Sequence, residues 1–182
     1  MKSVLISIRP KWTEKIANGE KTIEVRKTAP QEVPFKAYIY ETQGQYVKFT
    51  HGAHTKYGYG RGKVIGEFIC DKVYSIKNRG SSFSVADEEQ SVTNEIARKS
   101  CLDYDDMISY LGNKDGYGWH ISDLKIYDKP KELSEFCIPC KVSCENCKNP
   151  LYFECWCEEK GKKIVTRPPQ SWCYVEDLGE EE

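Results

Sequence analysis

The sequence predicts an α+β domain that is mainly β, and three observations carry that prediction. Runs rich in β-branched and aromatic residues recur at 4–8, 22–26, 36–42, 64–76 and 117–127, the composition that suits a pleated, half-buried surface. Helical periodicity is confined to short stretches that carry their own stop signals. The chain has 182 residues, which fits one domain or one domain with an appendage and is long enough to bury a core without staples.

Taken in order, residues 4–8 (Val-Leu-Ile-Ser-Ile) form the first strand. Pro10 opens a short helix, where its missing N–H is harmless. Trp12, Ile16 and Ala17 make its apolar stripe, and Asn18-Gly19 ends it. Residues 22–26 then alternate, with Ile23 and Val25 on one face and Thr22, Glu24 and Arg26 on the other. A strand follows at 36–42. The stretch 43–62 interleaves glycine, tyrosine and basic residues; it reads as a loop or a long hairpin, and equally as a surface that tracks a phosphate backbone and stacks bases. Residues 64–76 make a long strand with a bend at Gly66. A short helix is expected near 93–99. A second spans 104–111, with Asp103 as its N-cap and Gly112 as its stop. The pattern closes with strands at 117–127 and 171–175, and an acidic tail at 177–182 that is expected to be disordered.

Composition excludes some classes. The formal net charge is −1, so no global field draws the chain to nucleic acid, and any such site is a local basic patch. No stretch approaches the roughly 20 apolar residues of a membrane span. The N-terminal apolar run is too short for a signal peptide. These features place the chain in the cytoplasm, where nine cysteines are read as thiols or metal ligands rather than as disulfides.

Two constellations carry chemistry. The first is Gly-Glu-Lys-Thr-Ile-Glu-Val-Arg at 19–26, where Lys21, Glu24 and Arg26 emerge together as a helix hands over to a strand. On a half-buried strand such charges pair with one another. They are then either a structural network or a site. The second is the cysteine-rich stretch 137–157: Cys137 and Cys140, Cys144 and Cys147, then Cys155 and Cys157. Two Cys-x-x-Cys pairs suit a tetrahedral structural zinc. The spacer between them is short, so Cys155 or Cys157 can substitute for one ligand, and free thiols are the alternative. The run Cys140, Cys144, Cys147 also has an iron–sulfur spacing, but that chemistry needs a large (β/α) barrel.

The octapeptide and its flanks resemble the ASCH domain, a small superfamily related to the PUA RNA-binding fold. The family pattern is a strand, a helix, then Gly-x-Lys-x-x-Glu-x-Arg, matched at Gly19, Lys21, Glu24 and Arg26. The resemblance covers roughly residues 1–130 and the final strand, and points to phage and Gram-positive members. It implies a closed PUA-like β-barrel over 1–176, with the 137–157 cysteine-rich stretch inserted before the last strand. It also implies a ligand cleft beside the motif, with Lys11 lining it and Trp119, in a Gly-Trp-His-Ile strand, close by.

Three functions follow from that resemblance and the residues together. One is a module binding RNA or a nucleotide through Lys11, Lys21, Glu24, Arg26 and Trp119: cations for phosphate, rings for stacking, Glu24 for a base edge. Another is a hydrolase acting on RNA or a modified nucleoside, with Lys21 and Glu24 as base and acid. Acetylcytidine amidohydrolases of the family carry Lys-Thr-x-Thr-x-Arg; Lys21 and Thr22 match, but Glu24 stands where their catalytic threonine stands, so that covalent route is closed. The third is a zinc-stabilised protein-interaction module presenting Trp156.

Overall fold

The computed structural model describes residues 1–51, 54–80, 82–139 and 163–179. Its elements run β1 (Lys2–Ile8), α1 (Pro10–Ala17), β2 (Ile23–Arg26), β3 (Phe35–Glu41), β4 (Gly44–His51), β5 (His54–Gly60), β6 (Lys63–Cys70), β7 (Val73–Asn78) and β8 (Phe83–Val85). They continue as α2 (Gln90–Ser100), α3 (Tyr104–Leu111), β9 (Gly116–His120), β10 (Ser122–Lys131), a 3-10 turn at Leu133–Glu135, and β11 (Trp172–Val175). The chain is mainly β with short helices, as expected. No helix among the described residues is long and apolar enough to cross a membrane.

The closed barrel is a correction. The described strands form a five-stranded sheet in the order β10-β6-β3-β1-β11, a four-stranded sheet in the order β2-β9-β7-β8, and a separate β4-β5 hairpin. Two strands expected to run unbroken are each divided between the large sheets. The 64–76 run breaks at Asp71-Lys72, and the 117–127 run breaks at Ile121. At the second corner Ile121 N donates to Thr22 O rather than to a ladder partner (2.9 Å), and Asp123 takes a positive φ of 46°. The chain therefore turns from one sheet to the other at both breaks, and β1 and β2 are not hydrogen-bonded neighbours.

Gly66 is not the corner. It lies where β6 meets β10 so closely that a Cβ would stand 2.4 Å from Lys125 O, beside an irregularity in the pairing of β6 with β3. That close approach is what requires glycine.

One core lies under the five-stranded sheet and gathers Val4, Ile6, Ile8, Ile16, Phe35, Ile39, Phe68 and Trp119. Another packs Ile23 and Val25 of β2 against Ile96, Met107 and Leu111 of the helices. The alternation of β2 thus sends its apolar residues toward α2 and α3, and its charged residues the other way.

Beyond β11 the described part of the acidic tail is anchored. Asp177 Oδ1 accepts from the Tyr38 hydroxyl at 2.7 Å and from Lys36 Nζ at 3.0 Å, and Oδ2 accepts from Ser3 Oγ at 3.1 Å. Burial pushes the Asp177 pKa up, but the Tyr38 and Lys36 bonds, the Gly179 N–H and the Lys36 charge outweigh it and hold it down at about 2, against 3.8 ordinarily. A carboxylate with a depressed folded pKa stabilises the fold above its unfolded value, and that contribution is lost as the pH falls from about 4 toward 2. With part of the carboxylate in solvent, Asp177→Asn is expected to cost about 1 kcal/mol at pH 7. Denaturant titrations at pH 7 and pH 2.5 test this; the same loss at both would mean that ionisation plays no part.

Candidate ligand cleft

The geometry of the cleft starts at the end of α1. Asn18 N donates to Glu14 O at 3.0 Å and Gly19 N to Ile16 O at 2.9 Å. Gly19 has φ +73°, with nothing within 4 Å of where its Cβ would be, so glycine is needed for the conformation and not for space. Glu20 N and Lys21 N then both donate to Lys15 O (2.9 and 3.1 Å). The chain wraps back over the helix end, which sends the Lys21 side chain inward.

Lys21 is 2% exposed. Its Nζ donates to Ser100 O at 2.5 Å, stands 3.4 Å from Glu24 Oε2 and lies 5.3 Å from the centre of the Trp12 ring. Ser100 is the last residue of α2, so the ammonium sits where the helix presents its outward carbonyls and negative dipole end. On the other side, Arg26 Nη2 bridges Glu24 Oε1 at 2.9 Å and Ser7 O at 2.7 Å. Ser7 belongs to β1, so this guanidinium ties the two sheets together where no strand ladder joins them.

The site is strongly desolvated. Burial, the largest effect on Lys21, lowers its pKa against the opposing pull of Glu24. Glu24 Oε2 and Arg26 Nε are both buried, and neither has a hydrogen-bond partner. Lys21 Nζ forms an ion pair with that oxygen at 3.4 Å.

These residues form one wall of a cavity of about 460 Å³. Arg9, Lys11 and Trp12 line it from the start of α1; Asp106, Ser109 and Tyr110 from α3; Pro168, Pro169 and Gln170 from the stretch before β11. Lys11 Nζ lies 4.3 Å from the centre of the Trp12 ring, and Lys27 Nζ 5.4 Å from that of Tyr110. Four cations and two carboxylates line the cavity, a local positive excess on a chain whose formal net charge is −1. A smaller cavity of about 230 Å³ shares Val25 and Leu102 with it but is bounded mainly by apolar residues between α2, α3 and β8.

Four of the five ligand residues expected from sequence therefore converge: Lys11, Lys21, Glu24 and Arg26. Trp119 does not join them. It is fully buried, packed edge-on to Phe35 (centroids 4.9 Å apart, planes at 83°) and against Trp172 at 5.8 Å. Trp12, in the expected apolar stripe of α1, packs half-buried against the core and also lines the cavity. Sequence reasoning missed the face of α3 and the Pro168–Gln170 segment, because only the fold brings them to the motif. Among the described residues no cluster of His, Cys, Asp and Glu could hold a metal ion. Of the cysteines expected to bind zinc only Cys137 is described; Cys140, Cys144, Cys147, Cys155 and Cys157 lie outside the described residues, as does Trp156.

Comparison with solved structures supplies the fold. The chain is similar to the crystal structure of ASCH from Zymomonas mobilis with a TM-score of 0.54, over 96% of this chain and 88% of that one, at 16% identity. Two single-substitution variants of the same protein align with a TM-score of 0.55, over 97% and 96% of this chain and 91% and 89% of theirs, at 15% and 16% identity. The chain has the ASCH fold. No family model and no curated protein matches it by sequence. At this identity the likeness concerns architecture, so the ASCH fold by itself assigns neither ligand nor reaction.

Proposed function

We propose that the chain is an RNA- or nucleotide-binding module whose ligand enters the cleft beside Lys21, Glu24 and Arg26. The observation that carries this reading is the buried Lys21–Glu24–Arg26 cluster on the wall of a cation-rich cavity, where Arg26 Nε has no hydrogen-bond partner and Glu24 Oε2 is met by the Lys21 ammonium at 3.4 Å. Buried polar groups in folded proteins are nearly always paired. A base edge offers an acceptor for Arg26 Nε and a donor for Glu24. Arg9 and Lys11 suit phosphate, and the Trp12 and Tyr110 rings suit stacking.

A hydrolase reading draws on one further fact. A lysine whose pKa is lowered by burial stands 3.4 Å from a carboxylate, an arrangement that serves acid–base chemistry. Binding is the better supported of the two, because Lys21 already donates to Ser100 O and Glu24 is held by Arg26.

We also propose a structural zinc held by Cys137, Cys140, Cys144 and Cys147, with Cys155 or Cys157 as substitutes. Cys137 pairs with Ile164 in a β-bridge, and Ile138 N donates to Lys163 O at 2.8 Å. The two ends of the intervening stretch thus meet, and a metal would staple what they enclose. That staple would stabilise the third candidate, a protein-interaction surface around Trp156.

The test is titration of nucleoside monophosphates and a short single-stranded RNA into wild type and Lys11→Ala, with zinc content measured on the same preparation. Lys11 is exposed, so its removal leaves the fold intact. A several-fold rise in Kd and about one zinc per chain are expected. Wild type that binds none of these ligands, or a variant that binds as well, would sink the nucleotide reading; metal-free protein with unchanged stability would sink the zinc.

A further inference from the structure

The β4–β5 hairpin presents a surface that the cleft does not account for. Antiparallel pairing sets Gln45 opposite Tyr59 and Val47 opposite Tyr57, so these four side chains share one face. Val47 is 52%, Tyr57 49% and Tyr59 72% exposed. The other face is occupied. The Tyr46 ring and the Lys48 stem lie over Gly58, and Lys48 reaches Glu14 of α1 at 3.1 Å. A hairpin fixed on one side by α1 therefore holds two tyrosines outward on the other.

Two observations indicate what this face takes. Residues 43–63 contain Lys48, Lys56, Arg61 and Lys63 and no Asp or Glu; Lys48, Arg61 and Lys63 pair with Glu14, Glu41 and Glu132 of other elements. The Arg61 and Lys63 side chains, at the root of the hairpin, stay 57% and 41% exposed, and such surface pairs are weak enough for a phosphate to compete with the glutamates. The root of the hairpin also belongs to the cleft: Thr42 lines the cavity, and Gly60 sits so close that a Cβ would meet Thr42 O and Pro10 Cγ.

We propose that the outward face of this hairpin, through Tyr57 and Tyr59, is a stacking platform for single-stranded RNA whose terminal or unpaired nucleotide occupies the cleft. The inference rests on the nucleotide-binding reading and extends it: the cleft takes one nucleotide, and the hairpin takes its neighbours. Every base has a π-face, so such a platform tolerates sequence, and the surrounding cations make it dependent on salt.

The experiment compares a nucleoside monophosphate with a fluorescent 10-mer of mixed single-stranded RNA, on wild type, Tyr57→Ala/Tyr59→Ala and Tyr57→Phe/Tyr59→Phe. The 10-mer is expected to bind wild type at least tenfold more tightly than the mononucleotide. The alanine pair is expected to lose that advantage, by roughly tenfold or more, with mononucleotide binding unchanged, and the phenylalanine pair is expected to keep it. Equal affinity for 10-mer and mononucleotide in wild type, or a 10-mer affinity that survives in the alanine pair, overturns the platform and leaves the cleft standing. A 10-mer that binds through the tyrosines while no mononucleotide binds would keep the platform and remove the cleft. Failure of both ligands to bind removes both.

Discussion

Glu24→Ala is expected to destabilise the protein by about 3–5 kcal/mol, the range found when one partner of a buried ion pair is removed. Lys21, Glu24 and Arg26 are all at least nine-tenths buried, and Glu24 is the one carboxylate shared by the two cations. Without it, an ammonium and a guanidinium face each other in a desolvated site. The effect should be asymmetric. Lys21→Met leaves Glu24 still bridged to Arg26 at 2.9 Å and puts an apolar chain of similar length against Trp12, so it should cost less. Glu24→Gln keeps an oxygen for Arg26 and should fall between the two. Thermal unfolding would show a drop on the order of 10 °C for the alanine variant. A loss under about 1 kcal/mol, or the same loss in all three variants, would mean that the triad is not a coupled buried network. The triad thus joins the sheets as well as lining the cleft. Ligand binding is better tested at Lys11, whose loss the fold tolerates.

What could be read from the sequence was local. Asp103 caps α3 by accepting from Asp106 N at 2.7 Å, and that helix has the bounds its cap and Gly112 imply, because both signals act within one turn. The three charges of the motif lie within six residues; strand alternation sufficed to put Glu24 and Arg26 on one face, and Lys21 joins them because the chain wraps back over the end of α1. Where long-range contacts decide, the sequence misleads. The corners at Asp71-Lys72 and Ile121 carry no glycine or proline, since the turn is imposed by two sheets meeting and not by local preference. Gly66, which looked like the corner, answers to β10 passing close by. The hairpin at 43–62 lacks an Asn-Gly or Asp-Gly turn and holds polar residues on both strands, so it read equally well as a loop. The contributions of α3 and Pro168–Gln170 to the cleft depend on segments 80 or more residues from the motif.

Trp119 separates a core role from a ligand role, and its substitutions should do so by experiment. Trp119→Ala is expected to cost about 3–5 kcal/mol, as large-to-small changes of buried aromatic residues do. The side chain is fully buried, and it joins Phe35 to Trp172 through two edge-on contacts. Trp119→Phe should be much milder. It keeps a ring against Phe35, and it forfeits no hydrogen bond, because Trp119 Nε1 is buried with no partner. Glu24 is its cross-strand neighbour in the β2–β9 ladder, so a loss of packing at Trp119 would loosen the wall of the cleft without removing any contact to a ligand. The phenylalanine variant should therefore bind nucleotide as wild type does while unfolding at a slightly lower denaturant concentration. If it loses binding at unchanged stability, the indole touches the ligand after all, and the core assignment of this residue fails.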